Sequence, residues 1–171
     1  KAHLEYVEEA FIVKADMKKF FYSIARQILK ELLSKEIKCD KTRNLIFKII
    51  DSADVIDVLG MPLGNAISQL CANIYLNQLD QYAKRGLSLK YYVRYMDDIV
   101  IIVENKERAQ EVLKLIDKYV TEKLSINLNK KKSKIFPIAQ GVNTIGFKIY
   151  PTHMLLRNES KKKIKQKLSK M

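Results

Sequence analysis

The 171-residue chain reads as an α+β domain, an antiparallel sheet with its helices packed on one face. Three observations predict this. Tyr91-Tyr92-Val93-Arg94-Tyr95 and Ile99-Val100-Ile101-Ile102-Val103 are strand-like runs on either side of Met96-Asp97-Asp98, the pattern of a β-hairpin with acid at its tip. Ala10 to Ala15 is a short apolar-rich run ending on Asp16, as expected of a core strand that delivers a carboxylate from its C-terminal end. The remaining segments carry apolar residues at helical spacing, so helices can layer onto the sheet.

In chain order, Ser23 is placed to cap a helix whose Ile24, Ile28, Leu29, Leu32 and Leu33 follow helical spacing, with Lys30, Glu31 and Lys35 left to solvent. A second amphipathic helix is expected from Lys41 to about Ser52, with Leu45, Ile46, Ile49 and Ile50 inward. Val55 to Leu59 is a strand candidate, and Gly60, Pro62 and Gly64 make the next segment a turn-rich loop. A long helix opens at Asn65 or Ser68 and runs to about Ala83. Its Ile67, Leu70, Cys71, Ile74, Leu79 and Tyr82 are spaced for burial, and Ala72, Tyr75 and Leu76 extend the apolar surface to several sides.

Beyond the hairpin, a helix from about Lys106 to Leu124 turns Ala109, Val112, Leu113, Ile116, Val120 and Leu124 inward. Leu124 to Leu128 and Lys134 to Phe136 read as strands flanking a basic loop. A turn at Gly141 leads to a strand over Thr144 to Ile149. Glu159 to Met171 has the composition of a basic helix. With no repeat and no linker inside it, the chain reads as one domain over 1–158 and a basic tail over 159–171.

Lysine and arginine number 32 against 19 acids, a net charge of +13, which favours polyanions and makes nucleic acid the expected partner. The charge is clustered at Lys130-Lys131-Lys132-Ser133-Lys134 and Lys161-Lys162-Lys163, as a phosphate-tracking surface requires. The two cysteines, Cys39 and Cys71, show neither metal-ligand spacing nor a disulfide pattern. No apolar stretch approaches the roughly 18 residues that cross a bilayer, and Lys1 to Glu5 does not read as a signal peptide. The expectation is a soluble protein of a reducing cytoplasm with no membrane partner.

Asp97 and Asp98 are adjacent, and consecutive side chains of an extended strand point to opposite faces. They converge on one site only if the backbone turns sharply there. Met96-Asp97 lacks the Gly or Asn that a two-residue hairpin turn prefers, and a local rule broken inside a consistent stretch points to function. Taken alone, the pair also reads as a solvated turn, and Asp16 as an ordinary strand-end residue.

Three stretches change that balance. Asp16 within Lys14-Ala15-Asp16-Met17-Lys18-Lys19-Phe20-Phe21, then Leu63-Gly64-Asn65-Ala66-Ile67-Ser68-Gln69, then Tyr95-Met96-Asp97-Asp98 resemble, in order and spacing, the palm of reverse transcriptases, from about Ala10 to about Pro151. The resemblance implies the polymerase palm, a ferredoxin-like split arrangement. The fingers and thumb would be largely missing: about fifteen residues precede Asp16, and 159–171 would begin the thumb. Most members carry Gln-Gly and then Ser-Pro in the middle motif. Leu63-Gly64 and Ser68-Gln69 instead resemble the bacterial and phage diversity-generating retroelement enzymes, relatives of the group II intron type.

What the resemblance implies is an RNA-directed DNA polymerase that adds deoxynucleoside triphosphates to a DNA or RNA primer on an RNA template. Such nucleotidyl transfer uses two divalent ions about 4 Å apart, and Mg²⁺, or Mn²⁺ in its place, takes oxygen ligands. By this likeness Asp16 and Asp97 bridge the ions, Asp98 is a third acid, and the backbone carbonyl of Met17 completes the second metal site. Phe21, five positions after Asp16, lies where the family places a ring beneath the sugar that selects deoxynucleotides. Gly64 and Ser68 line the pocket for template and incoming base. Leu63 and Gln69, standing where most relatives have an amide and a proline, imply looser positioning and low fidelity, notably opposite template adenine. Lys132 matches the late basic motif whose lysine protonates pyrophosphate, and Ile145-Gly146-Phe147 the segment that grips the primer. A bacterial or phage retroelement would add an accessory protein. The alternatives are a group II intron or abortive-infection type reverse transcriptase, a non-catalytic nucleic-acid-binding palm, and a nucleotide cyclase, whose Gly-Gly-acid-Glu-Phe hairpin is absent here.

Overall fold

The computed structural model describes residues 9–52, 59–62, 64 and 66–169. β1 (Phe11–Asp16), β2 (Tyr91–Tyr95), β3 (Asp98–Val103) and β4 (Lys134–Pro137) form one antiparallel sheet in the order β2-β3-β1-β4. Strand alternation divides its two faces. Val13 and Ala15 with Ile99, Ile101 and Val103 are buried in the main core. Ile12, Val100, Ile102 and Phe136 point the other way and meet Ala10, Ile138 and Val142 in a smaller cluster.

The helices cover the first face. They are α1 (Phe20–Ser23), α2 (Arg26–Glu36), α3 (Asp40–Asp51), α4 (Ala66–Gln81) and α5 (Lys106–Leu124). α5 begins where Asn105 accepts a hydrogen bond from the Arg108 amide at 2.8 Å, an N-cap. Its Ala109, Val112, Ile116, Val120 and Leu124 are buried, as their spacing predicts. In α4, Cys71, Ala72, Tyr75, Leu76 and Leu79 are buried, and the Tyr75 hydroxyl donates to the Leu124 carbonyl at 2.5 Å, joining the two helices. A π-helical turn at Tyr82–Gly86 follows, with Tyr82 stacked on Tyr119 at 4.1 Å. β5 (Val142–Thr144), β6 (Phe147–Ile149) and β7 (Met154–Leu156) form a second antiparallel sheet, and α6 (Asn158–Leu168) closes the described chain.

Several expectations are corrected. Ser23 does not cap α2: its hydroxyl donates back to the carbonyls of Lys18 and Lys19, so it ends α1, and Ala25 precedes α2. Leu45 and Leu70 are each 60% exposed, because no described element covers those sides of α3 and α4. Leu124–Leu128 is not a strand: Leu124 closes α5, Ser125 takes the left-handed conformation of a helix end, and only Leu128 pairs, bridging Met17. Thr144–Ile149 splits into β5 and β6, because Ile145 and Gly146 both have positive φ, the requirement of a two-residue hairpin turn. β7 has no counterpart in the sequence pattern, and the tail helix opens at Asn158. Within the strand expected at Val55–Leu59, residues 55–58 lie outside the described residues, as do Leu63 and Asn65; Leu59 bridges Ala25. No helix among the described residues is long and apolar enough to cross a membrane.

Candidate functional site

Tyr95 pairs with Asp98, so Met96-Asp97 is a two-residue turn, and Met96 adopts φ +53° without being glycine. The register then sets Asp98 opposite Asp16 on the neighbouring strand. Both backbone polar groups of Asp16 face away from β3: its carbonyl accepts from the Asn129 amide at 2.7 Å and its amide donates to Ser133 Oγ at 3.3 Å. Asp16 and Asp98 are therefore a non-hydrogen-bonded cross-strand pair, the kind whose side chains stand closest. They lie on the face opposite the helices.

The next residue follows the same alternation. Lys18 donates to the Asn127 carbonyl at 2.9 Å, so Met17, between Asp16 and Lys18, turns its carbonyl to the opposite edge, toward the hairpin tip. Its side chain is in the core.

Like charges facing one another across a sheet are unfavourable, and two lysines offset this. Lys132 Nζ lies 3.3 Å from both carboxylate oxygens of Asp16, which also accepts from Asn129 Nδ2 at 3.2 Å. Lys14 Nζ donates to Asp98 Oδ2 at 3.1 Å and to the Asn143 carbonyl at 2.6 Å. Asp98 Oδ1 is buried with no hydrogen-bond partner among the described residues. Burial pushes the Asp97 carboxyl above its ordinary value, and the charges of Asp16 and Asp98 push it further, against a bond from its own amide and the attraction of Lys132.

Asp16 and Asp98 open onto a groove of about 980 Å³ whose other charged lining residues are all cationic: Lys14, Lys131, Lys132, Lys134, Lys148 and Arg157. Among the described residues no three His, Cys, Asp or Glu side chains form a ready-made metal cluster; Lys14 and Lys132 hold the acids in this state. The donors themselves fit a hard divalent cation. All are oxygens, and the bare Oδ1 of Asp98 has lone pairs that nothing among the described residues satisfies.

The other expected site residues are not part of this groove's lining. Phe21 is half-buried against Phe20, and its carbonyl accepts from the Met61 amide at 2.9 Å, which draws the 59–62 loop beside α1. Gly64 is exposed with φ +80°, and no atom of the described residues comes within 4 Å of its Cβ position. Ser68 is buried, its hydroxyl without a partner among the described residues, whereas Gln69 next to it is exposed. No described contact joins Gly64, Ser68 or Gln69 to the acids. Sequence reasoning missed Lys14, Asn129 and Thr144, whose hydroxyl reaches Asp98 at 3.5 Å. Lys14 had a readable signal, because two residues before Asp16 on one strand is the same face.

In sequence and fold the chain resembles known proteins. Residues 3–149 match the family model described as reverse transcriptase (RNA-dependent DNA polymerase). The chain is 24% identical to the COX1/OXI3 intron 2 protein of Saccharomyces cerevisiae, over 89% of this chain and 25% of that protein. It is 26% identical to protein YkfC of Escherichia coli, over 88% of this chain and 48% of the relative. The chain thus spans a quarter to a half of these relatives. Among solved structures, telomerase from Candida tropicalis in complex with a fragment of telomeric RNA superposes with a TM-score of 0.69 at 15% identity, over 93% of this chain and 31% of the telomerase chain. The apo form of that telomerase gives 0.70 at 13% identity, over 91% of this chain and 34% of the telomerase chain. Matched by its family model over most of its length, with a palm-like antiparallel sheet under a layer of helices, the chain belongs to the reverse transcriptase family.

Proposed function

We propose that this chain is the palm, residues 1–158, of an active RNA-directed DNA polymerase, with 159–171 leading into a thumb. The observation that carries the reading is the Asp16–Asp98 pair at the mouth of a cationic groove, with one buried carboxylate oxygen unsatisfied. Asp16, Asp97 and Asp98, with the Met17 carbonyl, would hold two Mg²⁺ ions, or Mn²⁺. Bound there, they would supply a lowered pKa for the primer 3′-hydroxyl and charge neutralisation for the leaving pyrophosphate.

The protein's own groups do the rest. Groove lysines hold template and primer phosphates. Lys132, 66% exposed at its side chain, reaches into the groove and acts as a general acid toward pyrophosphate. Phe21 lies under the sugar and excludes a 2′-hydroxyl, and Gly64, Ser68 and Gln69 border the incoming base. RNA template, primer and deoxynucleoside triphosphates are the partners, and two free cysteines suit a reducing cytoplasm.

Leu63-Gly64 and Ser68-Gln69 favour a diversity-generating retroelement, with its accessory protein. A second reading, an intron-type enzyme, is favoured by the similarity to a yeast intron protein. Misincorporation concentrated opposite template adenine supports the first, and uniform fidelity the second. The central test uses the full-length protein with a primed RNA and labelled deoxynucleotides. Extension is expected, falling by about 10³-fold or more in Asp97→Ala; equal extension by both proteins refutes the assignment.

A further inference from the structure

Arg94 stands two residues before the turn, and strand alternation aims it at the helices, beside Tyr92 and across from the fully buried Ile99. An arginine pointed at a core must be paired. Its Nε donates to Asp80 Oδ1 at 2.8 Å and its Nη2 to Asp80 Oδ2 at 2.6 Å, a two-pronged grip on a carboxylate of α4. Tyr92 donates to the same Oδ1 at 2.6 Å. The remaining nitrogen, Nη1, donates to Asn73 Oδ1 at 3.1 Å and to the Met96 carbonyl at 2.9 Å. The Arg94 side chain is only 10% exposed.

The Met96 carbonyl belongs to the peptide plane that joins Met96 to Asp97. The orientation of that plane sets the direction in which the Asp97 side chain leaves the turn. Met96 also occupies a left-handed conformation that is strained for a non-glycine residue, so the turn needs an outside constraint. Asp80 neutralises the guanidinium, which leaves Arg94 little long-range pull on the site acids.

We propose that Arg94, clamped by Asp80 and Asn73, is a positioning residue that locks the Met96–Asp97 peptide and so presents Asp97 to divalent metal. This rests on the polymerase reading of Asp97, and it makes α4 the rigid reference against which the acidic turn is aligned. Lysine cannot replace the function, because a single ammonium cannot grip a carboxylate with two parallel bonds and still reach the carbonyl.

The test uses the full-length protein and reads Mn²⁺ binding by the spin-resonance signal of free Mn²⁺, without nucleotide, beside primer extension. Arg94→Lys should weaken Mn²⁺ binding and lower kcat by about 10- to 100-fold, the usual scale for groups that orient metal ligands, with the KM for deoxynucleotide within about twofold. Met96→Gly removes the penalty of the left-handed conformation, so in that background the effect of Arg94→Lys should shrink severalfold. Unchanged Mn²⁺ binding in Arg94→Lys, or an equal effect in both backgrounds, overturns the proposal. If Arg94→Lys fails to melt cooperatively, Asn73→Ala removes one Nη1 acceptor and leaves no charge unpaired. It should weaken Mn²⁺ binding about two- to threefold, and no change overturns the proposal. Full activity in Asp97→Ala would instead sink the polymerase reading itself, whatever Arg94 does.

Discussion

The ammonium of Lys14 joins the side chain of Asp98, at 3.1 Å, to the backbone of Asn143, at 2.6 Å. One side chain thus neutralises an acid of the central sheet and ties the second sheet to it through β5. Lys14 also sits where a bound cation would compete with it for Asp98. Lys14→Met should therefore cost about 1 kcal/mol of stability and tighten Mn²⁺ binding roughly threefold. Thermal melts in chelator and a Mn²⁺ titration check both, and weaker Mn²⁺ binding would show that Lys14 supports the metal site instead.

Asp97 should make stability depend on pH. Its folded-state pKa stands above the ordinary 3.8, so between that value and its own the folded chain holds a proton that the unfolded chain has released. Stability is undiminished below that window and declines as pH rises through the folded value. In metal-free buffer, Asp97→Asn should match wild type below the window and melt higher at neutral pH. Parallel melting curves across the window would mean that neither burial nor the neighbouring carboxylates raise the Asp97 pKa in the folded chain.

The groove lysines predict a salt signature. For a primer–template duplex, Lys134→Ala and Lys148→Ala should each reduce the slope of log affinity against log salt by about 0.7 to 0.9 for every phosphate that the missing ammonium would have neutralised. Binding isotherms at several salt concentrations measure this, and an unchanged slope would place the nucleic acid elsewhere.

Two glycines should respond differently to alanine. Gly141 has φ +66° and ψ 154°, and a Cβ there would lie 2.8 Å from the Tyr150 ring and 2.9 Å from the Ile149 carbonyl. Gly146 has φ +81°, but its nearest such neighbour is 3.6 Å away. Gly141→Ala should cost about 2 to 4 kcal/mol and Gly146→Ala about 1 to 2 kcal/mol in denaturant unfolding. Equal costs would mean that conformation alone matters and the crowding around Tyr150 relaxes freely.

Much of the fold was legible because periodicity reports which side of an element is apolar. The spacing of Ala109, Val112, Ile116 and Val120 located α5, and the runs flanking Met96-Asp97 located the hairpin and its two-residue turn. Leu45 and Leu70 stay exposed despite their helical spacing, because an apolar position on a helix is buried only if another element covers it, and spacing does not reveal coverage. The Thr144–Ile149 break was missed because Ile145 carries no turn signal, although Gly146 does.

For the site, the sequence alone determined that acids stand at the end of one strand and at the tip of a hairpin, within a strongly basic chain. Only the tertiary structure decided that Asp16 faces Asp98, that Lys14 and Lys132 hold these acids, and that Arg94 connects the turn to Asp80 on a helix. The reason is physical. Local pattern governs what a backbone segment forms and which way a side chain points, whereas strand register and the meeting of groups more than a hundred residues apart in sequence, as with Lys132 and Asp16, are settled only when the whole core packs.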